Sequence, residues 1–329
     1  MTNKILIIDL RTPFHVREFE KILFKTEILN DFDFLVVAPQ KLPLEGLNYH
    51  TLLYHTNPTS YLSIFKLWKI VKAISEEVKS YNEINLCTSI PFGPLHDLLI
   101  NKIKIKKGFL FEDGISSYLD LDVKYYFLKK LLFFTFFMKK ILLAKKKFFS
   151  VDLNFYETIF TEKKMYLNHL NNQKKIIDIG TQNINQNTLN VIKRKKMVFL
   201  SSASVEYGFQ TFEEYEKTIK TLLECVSSKN IIVSFHHNEN FIDQKLKIIK
   251  KYFKITKVLY PNKAVEDSIF NGKFNIELIS PYNSTALSAC NENVLKKLIL
   301  YNDNGPNIHK RISLFKKILP LLKFRSHTL

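Results

Sequence analysis

The sequence predicts an α/β protein built as two successive domains, each a parallel sheet flanked by helices. Three observations predict it. Short apolar runs of strand length alternate with longer stretches of helical period along most of the chain. The alternation breaks between Gly180 and Lys196, where the chain turns polar and rich in Asn and Gln. At 329 residues and 46% apolar content, the chain has material for about two cores rather than one.

Taken in order, the first domain, 1–180, opens on an apolar run at Lys4–Leu10 that predicts a strand. It is too short for the apolar core of a signal peptide, so no secretion is expected. Helical spacing follows near His15–Lys25, then a strand at Phe32–Ala38, a helix across Tyr61–Lys79, a strand at Asn85–Ser89, a helix at Gly93–Ile100 and a strand at Lys107–Phe111. A basic helical segment spans 124–149, and Val151–Phe160 reads as a further strand. The polar stretch 181–196 reads as a linker. The second domain, 197–329, begins abruptly with a strand at Met197–Leu200 that runs into Ser201, Ser202, Ala203 and Ser204. Alternation resumes with a helix at Thr211–Ser227, a strand at Asn230–Phe235, a helix at Asp243–Tyr252, and strands around Ile255–Leu259 and Asn275–Ser280. Two such domains leave a cleft that the carboxyl ends of both sheets can face.

Composition narrows the function classes. With only 8 glycines and no GxGxxG or GxxxxGK[ST] loop, a dehydrogenase or P-loop kinase is disfavoured. The formal charge of +18 implies an anionic partner. No zinc-finger or RNP signature accompanies it, so nucleic acid is not the expected one. The densest basic cluster, 124–149, interrupts aromatic and aliphatic runs with lysine pairs and a triplet, and no apolar stretch there approaches the ~20 residues of a membrane span. That pattern fits a peripheral anchor on anionic inner-leaflet lipid, and equally an amphipathic core helix with a solvated basic face. Cys87, Cys225 and Cys290 lie far apart, without metal-ligand or disulfide spacing, as suits a reducing compartment.

Three segments carry candidate chemistry. Gly108-Phe109-Leu110-Phe111-Glu112-Asp113-Gly114 delivers two carboxylates from a buried-type strand into a glycine turn, the place where open α/β sheets hold ligands. Alone, it also fits an ordinary turn with Ser116 or Ser117 capping the next element. Ile231–Phe235 is followed directly by His236 and His237, and imidazole can donate to phosphate or pass a proton near neutral pH. A lone histidine pair gives no ligand spacing for a metal. Finally, Ile276–Ser280 leads through Pro281, Tyr282 and Asn283 into Ser284 and Thr285. That is a helix start with two hydroxyls, suited to phosphate or to simple capping.

In this order, Glu112-Asp113-Gly114, strand-His236 and Ser284-Thr285 resemble the bacterial sialyltransferases that carry a D/E-D/E-G motif, an HP motif and an SS/T motif, including lipooligosaccharide sialyltransferases and capsule polysialyltransferases. The resemblance implies a GT-B fold, two Rossmann-like domains facing a cleft. It implies inverting transfer of sialic acid or a related ulosonic acid from its CMP ester to a cell-surface glycan, without cofactor or metal. By it Asp113 would be the general base, with Glu112 and Gly114 in support. His236 would bind or protonate the departing phosphate, and Ser284 and Thr285 would hold the same phosphate. The residue after His236 is His237, where the family pattern has proline, which leaves open which histidine contacts phosphate. Ser201 and Ser202, at the end of a strand, are further donor-side candidates. His15, after Thr12-Pro13-Phe14, is a candidate for the acceptor side, although a lone histidine at a helix start is often a cap or surface residue. Two alternatives stand beside this reading: a non-catalytic peripheral protein that binds anionic glycan or lipid, and a GT-B transferase that uses a UDP- or GDP-sugar.

Overall fold

The computed structural model describes residues 3–39, 49–53, 64–119, 155–162, 175–180, 195–226, 228–236, 238–260, 269, 275–290, 294–321 and 325–328. The chain divides into two compact units, Met1–Gly180 and Thr181–Leu329. The basic segment 124–149 lies outside the described residues.

The first unit runs β1 (Lys4–Asp9), α1 (Pro13–Lys25), β2 (Asp33–Ala38), β3 (Tyr49–Leu53), α2 (Ile64–Val78), β4 (Glu83–Thr88), α3 (Pro94–Lys102), β5 (Lys107–Leu110), a 3₁₀ turn (Gly114–Tyr118), β6 (Tyr156–Thr161) and β7 (Lys175–Asp178). The second runs β8 (Lys195–Leu200), α4 (Phe212–Cys225), β9 (Asn230–Ser234), α5 (Ile242–Tyr252), β10 (Lys254–Leu259), β11 (Asn275–Pro281), α6 (Ser284–Ala289), β12 (Leu295–Tyr301), α7 (Ile308–Ile318) and β13 (Arg325–Thr328).

The sheets are ordered β3-β2-β1-β4-β5-β6-β7 and β10-β9-β8-β11-β12-β13, and every pairing is parallel. Both therefore wind outward from a first strand, return, and continue on its other side, as Rossmann-like sheets do. Strands covered on both faces need continuous apolar runs. Ile5 to Ile8 and Leu35 to Ala38 are accordingly buried.

Each unit has its own core. In the first, Leu6 and Ile8 of β1 pack with Phe19 and Ile22 of α1 and with Phe109, Phe111 and Phe160. In the second, Met197 and Phe199 of β8 pack with Tyr215, Ile219 and Leu222 of α4 and Ile248 and Ile249 of α5.

Several elements depart from the sequence reading. β8 begins at Lys195, two residues inside the stretch expected to be linker. β3, β7, β12, β13 and α7 were not anticipated. β3, β7 and β13 are strands of four or five residues, too short to establish a period. β12 carries Lys296 and Lys297 inside its run. Lys297 is accommodated by donating its ammonium to the Cys225 carbonyl, 2.8 Å away.

Gly108 in β5 shows how tightly the first sheet is closed. A Cβ built there stands 2.7 Å from Tyr156 Cε1 and 2.9 Å from Phe155 Cδ2. Tyr156 has little room to retreat, because its hydroxyl is bonded to His96 Nε2 at 2.9 Å in the buried interior. Gly108→Ala is expected to destabilise the protein by about 1–3 kcal/mol through overpacking, read as a lower urea midpoint at unchanged slope; an unchanged midpoint would mean that Tyr156 moves freely.

Candidate active site

In the first unit the chemical groups collect at the carboxyl ends of β1, β4 and β5, around the point where the strand order reverses. Asp9, the last residue of β1, is buried and accepts both Nε and Nη2 of Arg11, the latter at 2.7 Å. The Thr88 hydroxyl, ending β4, also donates to Asp9 at 3.3 Å. This pair shapes the short β1–α1 connection, and Thr12 caps α1 by accepting the His15 N–H. In turn the Arg11 backbone N–H donates to His15 Nδ1 at 3.1 Å. With Nδ1 an acceptor, the neutral ring carries its proton on Nε2. Nε2 faces Asp113 Oδ1 at 2.8 Å.

His15 is therefore neither a surface residue nor the helix cap. It is 1% exposed, with its ring held edge-on to Phe111 at 5.6 Å and the Ser89 hydroxyl 3.1 Å from Nε2. Asp113 stays 23% exposed at its side chain. Its backbone N–H donates to Ser117 Oγ at 2.8 Å, so Ser117 braces the turn from within the 3₁₀ segment. Gly114 has φ 74°, a left-handed conformation that disfavours any side chain. This turns the chain immediately after the carboxylate.

Glu112 points the other way. It is fully buried and accepts from the Glu162 N–H at 3.3 Å and the Thr161 hydroxyl at 3.4 Å. Nearby, Lys21 pairs with both Glu18 and Glu162. Tyr118, bonded to Thr161 at 2.6 Å, has its phenol pushed well up by burial and then by the Glu112 charge, so it remains a donor. Of the two adjacent carboxylates, Glu112 ties β5 to β6 and Asp113 alone faces outward.

In the second unit, His236 follows β9 and is exposed. Its backbone N–H donates to Glu239 Oε1 at 2.6 Å. The other oxygen, Oε2, accepts the Ser201 hydroxyl at 2.7 Å and Lys245 Nζ at 2.6 Å. Lys245 is fully buried and spends its three donors on Glu239, Glu206 Oε2 (2.7 Å) and the Ser202 carbonyl (2.8 Å). Its ammonium also lies 5.3 Å from the Tyr215 ring centre, a favourable placement for a cation. Glu206 Oε1 in turn accepts the Asn240 and Phe241 N–H groups, each at 3.1 Å. In this way it caps the start of α5, where Phe241 offers no side-chain cap.

Burial pushes the Glu239 carboxyl above its ordinary value, against the pull of Lys245, the His236 N–H and Ser201. Burial acts on Glu206 in the same sense, but Lys245 and the Phe241 N–H outweigh it and hold that carboxyl below its ordinary value.

Of the remaining candidates, the Ser201 hydroxyl is engaged with Glu239 and, at 3.0 Å, with Tyr215. Ser202 is buried and gives its carbonyl to Lys245. Thr285 is buried in the first turn of α6. Asn283 is the cap, accepting the Ala286 N–H at 2.9 Å and the Ser280 hydroxyl at 3.0 Å. His237 and the Ser284 side chain lie outside the described residues. Among the described residues, no group of three or more His, Cys, Asp or Glu is placed to hold a metal ion, and no helix is long and apolar enough to cross a membrane.

The sequence reading missed Asp9, Arg11, Ser89, Glu206, Glu239 and Lys245. One signal was present for Lys245. It shares a helical face with the buried Ile248 and Ile249, and a lysine on an apolar stripe needs a buried partner.

No model of a known protein family matches the sequence, and no curated protein matches it significantly. Solved structures do match in three dimensions. The chain is similar to a sialyltransferase from Photobacterium damsela, at 14% identity and a TM-score of 0.56, over 99% of this chain and 81% of that one. It is similar to the UDP-GlcNAc 2-epimerase of Methanocaldococcus jannaschii in complex with UDP-GlcNAc and UDP, at 14% identity and 0.51, over 95% and 92%. A third match is S. aureus MnaA in a co-structure with UDP, at 10% identity and 0.50, over 96% and 88%. At such identities the likeness shows the fold, which is GT-B, with two Rossmann-like domains.

The buried Lys245 supplies a direct test of the second unit. Lys245→Met removes the cation between two buried carboxylates and is expected to cost on the order of 3–5 kcal/mol, measured by urea denaturation. A loss below about 1 kcal/mol, the range of a surface pair, would show that the two carboxylates do not depend on it.

Proposed function

We propose that the protein is an inverting glycosyltransferase that moves sialic acid, or a related ulosonic acid, from its CMP ester to a cell-surface glycan such as lipooligosaccharide or capsule. The observation that carries this reading is the Asp113 carboxylate, partly exposed at the carboxyl end of β5, with the buried His15 bonded to one of its oxygens at 2.8 Å. A general base must present a free lone pair in a fixed direction. Here His15 Nε2–H holds Oδ1, leaving Oδ2 to take the proton of the acceptor hydroxyl as that oxygen attacks the anomeric carbon. His15 thus joins the acceptor side as the group that aims the base.

On the donor side His236, with His237 beside it in sequence, meets the departing CMP phosphate and donates a proton or hydrogen bond as negative charge develops, where stabilisation most lowers the barrier. Ser284 and Thr285 hold the same phosphate. Ser201 and Ser202, at the end of the strand beside the histidine loop, complete the donor side. The reaction as proposed uses no metal or cofactor. The basic segment 124–149 holds the enzyme to anionic lipid of the inner leaflet, next to its acceptors. Likeness in fold to proteins bound to UDP and UDP-GlcNAc favours testing a UDP-sugar donor beside the CMP ester.

The test is release of CMP from CMP-sialic acid by purified protein with a panel of glycan acceptors. Release is expected to rise with the acceptor, and to fall about 10²–10⁴-fold in Asp113→Asn and strongly in His236→Ala. CMP, and not UDP or GDP, is expected to raise the melting temperature, since a ligand that binds only the folded state stabilises it. Stabilisation by UDP or GDP instead would replace the donor. No release and no nucleotide shift would leave a binding protein for anionic glycan or lipid.

A further inference from the structure

We propose that Glu239, seated on the buried Lys245, is the positioning residue that sets where His236 stands, while Glu206 on the same ammonium holds the far end of the histidine loop. The connection from β9 to α5 contains no proline, so its own covalent structure does not fix it. Two carboxylates clasp it instead. Glu239 takes the N–H of His236 at the beginning of the loop, and Glu206 takes those of Asn240 and Phe241 at its end. The remaining oxygen of each carboxylate rests on the same ammonium, Lys245 Nζ, whose third proton goes to the Ser202 carbonyl, two residues past the end of β8. One buried cation therefore ties both ends of the loop to the neighbouring strand.

The clasp reaches the imidazole itself. The Glu239 N–H donates to the His236 carbonyl at 3.0 Å, and the Asn238 N–H donates to His236 Nδ1 at 3.3 Å. The ring is thereby held in the tautomer with its proton on Nε2, and the turn that makes this bond exists because Glu239 holds its first residue. Glu239 Oε1 and Oε2 both accept, one from the backbone and one from the ammonium. An amide of the same shape accepts at only one end and presents N–H to a donor at the other.

The kinetic consequence rests on the reading of His236 as the phosphate-side residue, while the geometry is testable without it. Uniformly ¹⁵N-labelled protein is compared with Glu239→Gln and Glu206→Gln, the His236 ring signals being assigned by their loss in His236→Gln. In Glu239→Gln, with the amide spectrum still dispersed, the His236 ring nitrogens are expected to shift from the Nε2–H pattern toward tautomer averaging. In the same variant kcat for CMP release should drop about tenfold or more, with a smaller change in the donor KM, because misplacing a group costs rate before binding.

Glu206→Gln loosens the far end of the loop and leaves the His236 N–H bond in place, so it should move the ring signals much less. Should Glu239→Gln fail to fold, Glu239→Asp serves instead. It keeps the charge beside Lys245 but is one methylene too short to span both partners, and should move the signals in the same way. A folded Glu239 variant with wild-type His236 signals, or an equal shift in Glu206→Gln, overturns the positioning role. Absence of CMP release from the wild type, with the expected ring shifts present, counts against the proposed reaction and not against the clasp.

Discussion

The constraint on which the rest of this structure depends is the handedness of parallel strand crossovers. A strand, a covering helix and a second parallel strand join in one hand only. With one hand, the crossovers from β1 to β3 lie on one face of the sheet, and the chain covers the other face by returning to the far side of β1; the second sheet does the same about β8. The return leaves a notch at the carboxyl ends of the first and fourth strands, where neighbouring connections diverge. Asp9, Thr88, Ser89 and Asp113 stand at or next to strand ends in one unit, and Ser201, Ser202 and His236 in the other. Their types differ, but the topology decides that they gather.

Charge burial then sorts these groups by role. A carboxylate removed from water is tolerable only with donors arranged around it. Glu112, Glu206 and Glu239 meet that condition with backbone N–H groups, hydroxyls or Lys245, and serve to hold loops and strands together. Asp113 meets it with one imidazole and remains partly in water. Two adjacent acids in one motif thus end up as a buried brace and a partly exposed carboxylate, and the difference lies in which way each faces rather than in their chemistry.

Much of the fold was legible because buried parallel strands must be continuously apolar, as in Ile5–Ile8 or Leu35–Ala38, and such runs stand out. Asp113-Gly114 was legible for a related reason: charge and glycine together end an apolar run abruptly. The partnership of His15 with Asp113 was not, since 98 positions separate them and only the placement of β5 beyond β4 brings their strand ends near. Lys245 escaped because the helical period assigns lysine to solvent by default, and the two acids that draw it inward come from two separate connections, neither of which has a period. That the Ser201 hydroxyl donates to Glu239 was equally hidden, since 38 positions separate them and the pairing follows no period.

The separateness of the two cores bears on how the chain acquires its structure during synthesis. Among the described residues, the first core draws on residues between Leu6 and Ile179, and the second on residues from Met197 onward. Domains fold as units while the ribosome is still working. The first sheet gains its edge strand with Lys175–Asp178, so the His15–Asp113 pair can form while the histidine loop and its lysine are still to be translated. A nascent chain can therefore hold the paired side chains of the first unit in place before the clasp of the second has been made.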